Sequence, residues 1–399
     1  MTEAGAATDL TIPLWRQAFR PFFLAGSLFS VAAISLWVAV LAGAVNITPY
    51  GNILFWHAHE MLFGFVGAIV VGFLLTAVQN WTGIRATHGK PLQALFALWL
   101  AARIVMLTGV PGHPWIVFAI DLSFYPVAAI LFSILLIRSG NKRNYQITVM
   151  LLFLTAANLL THISVLCSDP SLFLWGMNAG IFVVTLLMIV MGGRVIPMFT
   201  ANGAGVSLPP PIPWLEAATL LSGWLLAVIY LLNIQRYMPH PWIAAIFTIA
   251  SLCNTVRAFR WRIWTTFTHP LVWSLQVAYG FIPAGFGLWA LHYAGFDISR
   301  SAALHSLTAG AMGTLILAMI ARVSLGHTGR PLLVGRIVSV AFFLIVSAGV
   351  LRILSALFPA GLGFVGLCIS ALCWALAYVI YLAVYYPILT APRADGRPG

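Results

Sequence analysis

Twelve long apolar segments, separated by short polar breaks, leave this 399-residue chain few ways to fold. Only 7% of the residues are charged, whereas a soluble domain carries about 25%. A helix that crosses the hydrocarbon core of a bilayer needs about 20 apolar residues. The sequence therefore predicts an all-α polytopic membrane protein whose twelve transmembrane spans centre on residues 22–43, 55–79, 92–110, 116–137, 145–166, 173–198, 212–232, 241–258, 269–293, 301–323, 333–357 and 361–386.

The basic residues are distributed very unevenly between the two sides of these spans. If the spans alternate in direction, all but four of the 20 lysines and arginines fall on the side of both termini. Arg236 and Arg300 lie in the opposite loops, and Arg103 and Arg352 lie within spans. The positive-inside rule then predicts that both termini are cytoplasmic. The net charge of +12 is scattered between apolar runs, so we expect no nucleic-acid partner.

Four histidines fall inside spans, near the ends opposite the basic side. Two of them, His57 and His59, belong to "WHAHEM" at the start of span 2. The others are His162 on span 5 and His305 on span 10. A single histidine at such a depth usually makes a hydrogen bond to a neighbouring helix. Four at one depth indicate a metal or haem site, because ionisable groups are costly inside a membrane.

Spans 2, 6 and 10 end in similar sequences, "TAVQNWTG", "RVIPMFTANG" and "RVSLGHTG". When these are aligned at their threonines, His59, Met177 and His305 occupy equivalent positions. The alternative explanation is chance similarity between glycine-rich helices. The alignment predicts three pseudo-repeated four-helix units within one membrane domain (1–399), over residues 16–138, 139–262 and 263–390.

Three such units closed into a ring would bring His59 and His305 face to face at equal depth. Two neutral imidazoles on facing helices suit the axial ligation of a haem iron, which we expect to be a b-type haem. Arg352 and Arg300 lie near that surface and are the candidate partners of the haem propionates, because guanidinium binds carboxylate in a bidentate fork. The alternative for each arginine is a snorkelling side chain at the membrane interface.

A second metal site is expected around His57, which precedes His59 by two residues and points about 200° away from it on a helix. We expect His57 to share this site with His162, and the alternative is two separate interhelical hydrogen bonds. Copper is the expected ion because it accepts imidazole and thioether ligands. Met177 could add the thioether, although methionine is more often core filler. Glu60 is expected to orient an imidazole or to cap the helix.

Arg103 and Asp121 lie on spans 3 and 4, which the turn "GVPGHPW" joins into a hairpin. Each is several residues from that turn, so the two side chains should reach each other. An unpaired charge in the membrane is expensive. The sequence therefore predicts a buried ion pair between them.

Twelve spans in three units, with histidines on spans 2 and 10, resemble the catalytic subunit of haem–copper oxidases and nitric oxide reductases. The copper-site histidines that this resemblance implies on spans 6 and 7 are absent, and span 10 carries His305 alone. Only Asp121 among the eight acidic residues lies well inside a span. These differences argue against oxygen reduction and proton pumping.

A closer resemblance covers almost the whole chain. The segments "FRPFFLAG", "WHAHEMLFGF", "GGRVIPMFTANG" and "HSLTAGAMGTLILAMIARVSLGHTGR" are similar to the NnrS family. The resemblance implies a bacterial inner-membrane protein that contains haem and copper. It also implies an association with denitrification and with protection against nitrosative stress.

Two classes of function follow from these expectations. In the first, a haem protein binds or processes nitric oxide or a nitrosyl–iron species, and it stays open whether it is an oxidoreductase and what its electron donor is. In the second, the chain carries a small anion or a metal–nitrosyl species across the membrane without redox chemistry, as many repeat-built transporters do.

Overall fold

The computed structural model describes residues 12–397, which form twelve long α-helices and no strand. All twelve are long and apolar enough to cross a membrane, which confirms the predicted multi-pass, all-α architecture. The helices are α1 (Phe19–Leu41), α2 (Ile53–Thr82), α3 (Gly89–Thr108), α4 (Pro114–Ser139), α5 (Tyr145–Leu166), α6 (Pro170–Ala204), α7 (Pro213–Leu231), α8 (His240–Phe259), α9 (Pro270–Tyr293), α10 (Arg300–His327), α11 (Arg336–Leu357) and α12 (Gly363–Thr390).

Local sequence signals set the ends of the helices that carry the candidate site. The side chain of Asn52 accepts a hydrogen bond from the Phe55 backbone N–H at the start of α2, and Ser299 accepts one from Ala302 at the start of α10. Such caps satisfy backbone donors that have no partner within the helix. α2 ends at Gly83, whose φ of 71° is a left-handed conformation that glycine adopts without strain.

Helices α2, α6 and α10 form the centre of the bundle. The most apolar 18-residue stretches of these three helices are 83%, 78% and 67% buried inside the protein. Among the other described helices, only α9 is comparable, at 67%. The corresponding stretches of the remaining eight helices are between 22% and 44% buried, so these helices present much of their surface to lipid. The three-unit repeat and its ring stay a prediction, since α9 is as buried as α10.

The first and last helices pack against each other and close the bundle. Arg20 in α1 is fully buried, and its Nη1 donates to the carbonyl oxygens of Leu389 (2.9 Å) and Ala391 (2.7 Å) at the end of α12. The last carbonyls of a helix lack partners within it. The guanidinium therefore caps α12 and joins the two ends of the chain.

Two stretches of π-helix interrupt the central helices immediately after a histidine. Glu60–Val66 in α2 follows His59, and Ser306–Met312 in α10 follows His305. A π-helix has a wider turn than an α-helix, rotates the residues before it relative to those after it, and is frequent at functional sites. The two stretches are equivalent in the alignment of His59 with His305.

Candidate functional site

Two features adjoin the first turns of α2 and hold the candidate histidines, and we call this end of the bundle the histidine end. The histidine cavity is lined by His57, His305 and Arg352. The ionic cluster consists of His59, Glu60, Arg103, Asp121, Asn158 and His162. His57 and His59 enter different features because residues two apart on a helix point to opposite sides.

The histidine cavity has a volume of about 290 Å³ and mostly apolar walls. His57 stacks on Trp37 of α1, with ring centroids 4.2 Å apart and planes inclined by 11°. Its Nδ1 is buried and has no hydrogen-bond partner among the described residues. The walls come from six helices and include Trp37, Phe65, Phe173, Met177 and Trp374.

His305 has a defined tautomer. Its Nδ1 lies 2.7 Å from the carbonyl oxygen of Ser301, which can only accept a hydrogen bond. Nδ1 must therefore carry the proton, and Nε2 of the neutral ring keeps its lone pair. The Ser301 hydroxyl accepts a hydrogen bond from Arg352 Nη2 at 3.1 Å. A backbone carbonyl that holds one imidazole nitrogen while the other stays free is a common arrangement for metal-ligating histidines.

Arg103 is at the centre of the ionic cluster. Its Nη1 donates to Glu60 Oε1 at 2.5 Å, and its Nη2 donates to Asp121 Oδ1. All three side chains are buried, with at most 5% exposure. This confirms the predicted pairing of Arg103 with Asp121 and adds Glu60, which the sequence did not place near Arg103.

The two imidazoles of the cluster converge on one carboxylate oxygen. Asp121 Oδ2 lies 2.9 Å from His162 Nε2 and 3.3 Å from His59 Nε2. Asn158 donates its amide to the same oxygen at 2.9 Å. One donor atom each from His59, Asp121 and His162 lie within 4.8 Å of one another, so this group could hold a metal ion.

Glu60 orients an imidazole, which is one of the two roles expected from the sequence. Its Oε1 accepts from His59 Nδ1 at 3.1 Å, while Asn52 caps the start of α2. The close approach of Arg103 to α2 requires Gly64, because an added Cβ there would lie 3.2 Å from Glu60 Oε2 and closer still to the guanidinium.

Tyr50 reaches the cluster from the loop before α2. Burial and the Asp121 carboxylate raise the pKa of Tyr50, so the phenol stays protonated. Asp121 Oδ2, which can only accept, holds the His162 proton on Nε2. The Tyr50 hydroxyl lies 3.3 Å from Nδ1 and can donate to the lone pair there. Asp121 therefore sets the tautomer of His162, and Tyr50 completes its hydrogen bonding from the loop.

The structure groups the candidate histidines differently from the sequence expectations. His59 does not face His305, because its ring is held between Glu60 and Asn158. His57 takes the place beside His305 instead, and so it does not meet His162.

Two of the other three candidate residues lie at the histidine cavity, and one does not. Met177 and Arg352 both line the histidine cavity. Arg300 does not, because it is the exposed first residue of α10 and its side chain turns toward His292 of α9, where Nε lies 3.3 Å from the ring. Met177 thus lies with the predicted haem residues rather than with His162.

Several residues of the site were missed by sequence reasoning. Asn158 lies one helical turn before His162, and a polar side chain at that spacing in an apolar run places both on one face of α5. This spacing could have identified Asn158 from the sequence. No sequence pattern identifies Trp37 or Ser301, since their roles depend on how α1 approaches α2 and on the rotation of α10.

Comparison with protein families gives a match. The model of the family described as NnrS protein matches residues 13–393, nearly the whole chain. No curated protein matches the chain.

Proposed function

The chain belongs to the NnrS family and is a multi-pass membrane protein linked to the nitric oxide response, and on this premise we propose that it binds nitric oxide, or a nitrosyl–iron species, at a haem in the histidine cavity. The observation that carries the proposal is the pairing of His57 with His305 around one apolar cavity, with the Nε2 lone pair of His305 left free by the Ser301 contact. The same premise suggests the bacterial inner membrane as its location.

The residues of the histidine cavity fit a haem. His57 and His305 would hold the haem iron, since imidazole is a common ligand of haem iron. Aromatic and aliphatic side chains form the walls, and Arg352 supplies a guanidinium for a propionate. Two buried nitrogen atoms, His57 Nδ1 and Trp374 Nε1, have no partner among the residues that the structure describes. The donor set and these unpartnered atoms indicate that the cavity is built for a ligand.

Each residue of the cavity has a separate task in this proposal. A haem bound there supplies the iron chemistry that nitric oxide requires. Trp37 holds the His57 ring by stacking, and Ser301 fixes the tautomer of His305. Apolar walls keep the interior dry, which favours a small uncharged ligand such as nitric oxide.

We further propose that the ionic cluster holds a copper ion between His59, Asp121 and His162. Within the cluster, both nitrogens of the His59 ring lie against oxygens that accept: Nδ1 is 3.1 Å from Glu60 Oε1, and Nε2 is 2.8 Å from Asn158 Oδ1. The protonated ring and the Arg103 guanidinium therefore balance the two carboxylates. A copper ion would take the place of the proton on His59 Nε2, and two imidazoles with one carboxylate oxygen suit copper.

The visible absorption spectrum of the purified protein tests the haem. We expect Soret and α bands that shift when nitric oxide is added. His57→Ala and His305→Ala should each lose the same low-spin signal, whereas His59→Ala should keep it. If His59→Ala removes the signal and His57→Ala leaves it unchanged, the assignment to the histidine cavity is wrong.

Metal analysis of the same variants tests the copper. His59→Ala and His162→Ala should both lose copper, and His57→Ala serves as the matched control that retains it. Full copper content in either of the first two variants would rule out the site in the ionic cluster. A protein without haem bands and without copper would favour the alternative function, a carrier without redox chemistry.

A further inference from the structure

A second large cavity lies at the opposite end of the bundle from the histidine cavity. It is formed by the start of α5, the last turns of α6, the start of α7 and the end of α8, and its volume is about 620 Å³. We call it the arginine cavity because Arg143, Arg194, Arg257 and Arg260 all line it. The positive-inside rule predicts that this end faces the cytoplasm.

The arginine cavity carries a large excess of positive charge. Glu216 is its one acidic lining residue, and it pairs with Arg257 through both carboxylate oxygens. Arg194 donates to the Asn144 side-chain oxygen at 2.7 Å, and Arg260 donates to the Pro210 carbonyl oxygen at 2.6 Å. These acceptors are neutral. Three guanidiniums in the cavity therefore have no carboxylate partner among the described residues.

Arg257 gives the cavity a rigid floor. It is only 3% exposed and donates to the Ile189 carbonyl oxygen at 3.0 Å and to the Tyr279 hydroxyl at 3.1 Å. Its guanidinium crosses α6 at Gly193, where a Cβ would collide with it. The cation is thus fixed before any ligand arrives, which lowers the entropic cost of binding.

Apart from Gln146, the rest of the lining is apolar, and it reaches the lipid-facing surface. Leu208 and Pro209 come from the α6–α7 loop and Trp261 from the end of α8, while Met198 of α6 is 49% exposed. A ligand with an anionic head and an apolar body would match both halves of this lining. The cavity is also far larger than a three-atom anion such as nitrite needs.

We propose that the arginine cavity binds a phosphate-bearing anion, supplied either by an acidic phospholipid headgroup or by a soluble phosphate compound. Guanidinium groups bind phosphate oxygens through paired N–H donors. A tetrahedral phosphate can meet several guanidiniums at once, and basic pockets between helices on the cytoplasmic side bind such headgroups. The proposal is independent of the haem and copper sites, which lie at the other end.

Native mass spectrometry of the full-length protein in nanodiscs tests the lipid source. Phosphatidylglycerol should be retained on the protein and phosphatidylcholine should not. Thermal unfolding in detergent with inorganic phosphate, and separately with nitrite, tests the soluble source. Stabilisation by phosphate without retention of phosphatidylglycerol assigns the site to a soluble compound.

Arginine variants locate the binding. Arg194→Gln and Arg260→Gln should each weaken binding by about 10- to 100-fold, as expected for loss of a charge-assisted hydrogen bond. Arg143 is exposed, and none of the hydrogen bonds described involves its guanidinium, so Arg143→Gln tests the site without a risk to folding. Arg336→Gln is the matched control, because Arg336 is exposed and lies outside the cavity lining.

Each outcome of these experiments either supports the phosphate site or contradicts it. Weaker binding in the cavity variants with unchanged binding in Arg336→Gln supports the site. Equal retention of phosphatidylglycerol and phosphatidylcholine together with no effect of inorganic phosphate overturns it, as does stabilisation by nitrite alone. Unchanged binding in all three cavity variants also overturns it, whatever lipid is retained.

Discussion

At the scale of single residues, the ionic cluster shows how a charge is tolerated inside the membrane. Arg103 compensates two carboxylates at once, and removal of one partner from a buried ion pair costs about 3–5 kcal/mol. We expect Arg103→Leu to lower expression and the melting temperature of the purified protein. Asp121→Leu in the same chain should recover part of the loss, because one unpaired carboxylate disappears.

Arg300→Leu is the matched control for this prediction, since Arg300 is an exposed arginine at the same end of the bundle. It should leave expression and melting temperature unchanged. Wild-type stability of Arg103→Leu would show that the cluster does not depend on the guanidinium.

Residue types and depths could be read from the sequence, but the side of the helix could not. The sequence placed four histidines at one depth and predicted correctly that Arg103 pairs with Asp121. It paired His59 with His305, whereas His57 lies beside His305 in the structure, because the pairing depends on the rotation of α2 about its own axis. The π-helical stretch after His59 changes this rotation, and nothing in "WHAHEM" signals a π-helix.

At the scale of helices, the contact between α1 and α12 predicts a stability effect far from both proposed cofactor sites. Arg20→Leu removes two hydrogen bonds from a charged donor, each worth about 1.5–3 kcal/mol. The melting temperature should fall, while the haem spectrum of the folded fraction should be unchanged. Arg336→Leu, an exposed arginine at the start of α11, should have no effect on melting.

The π-helical stretch of α10 leads to a sharper test. The wider turn of a π-helix holds one residue more than an α-helix, so deletion of Ala311 should convert Ser306–Met312 to α-helix while the parts on either side keep their faces. His305 should therefore stay at the histidine cavity, and the low-spin haem signal should be retained. Ala311→Gly, which keeps the residue count, should also retain the signal. Loss of the signal after the deletion, in protein that still inserts, would show that the π-helix itself positions His305.

Helix boundaries followed the apolar segments closely because burial in lipid needs a fixed length. Span 1 was predicted at 22–43 and is observed at Phe19–Leu41, a shift of one turn or less. Span 6 was predicted at 173–198, whereas α6 extends over Pro170–Ala204. In the part beyond residue 198, Thr200 accepts a hydrogen bond from the Gln276 side chain of α9 at 2.8 Å. Hydropathy marks the part of a helix in lipid and says little about a part that makes polar contacts with a neighbouring helix.

At the scale of the whole molecule, the distribution of basic residues predicts how the bundle is oriented. A green fluorescent protein fused to the C-terminus should fluoresce, which requires a cytoplasmic position. Alkaline phosphatase inserted after Tyr237, in the exposed α7–α8 loop, should be active, since it folds only outside the cytoplasm. The reverse pattern would place the arginine cavity outside and the histidine end inside.

Arg20 also bears on how the protein is made. It leaves the ribosome 369 residues before the carbonyl group of Leu389 that it will bind. At synthesis rates of about 5–20 residues per second, this corresponds to a wait on the order of 20–70 s. During that time the Arg20 guanidinium of α1 lacks the carbonyl groups that it binds in the finished protein. A nascent chain that ends before α12 leaves Arg20 unpaired, and a membrane protease could recognise incomplete chains by this unpaired cation.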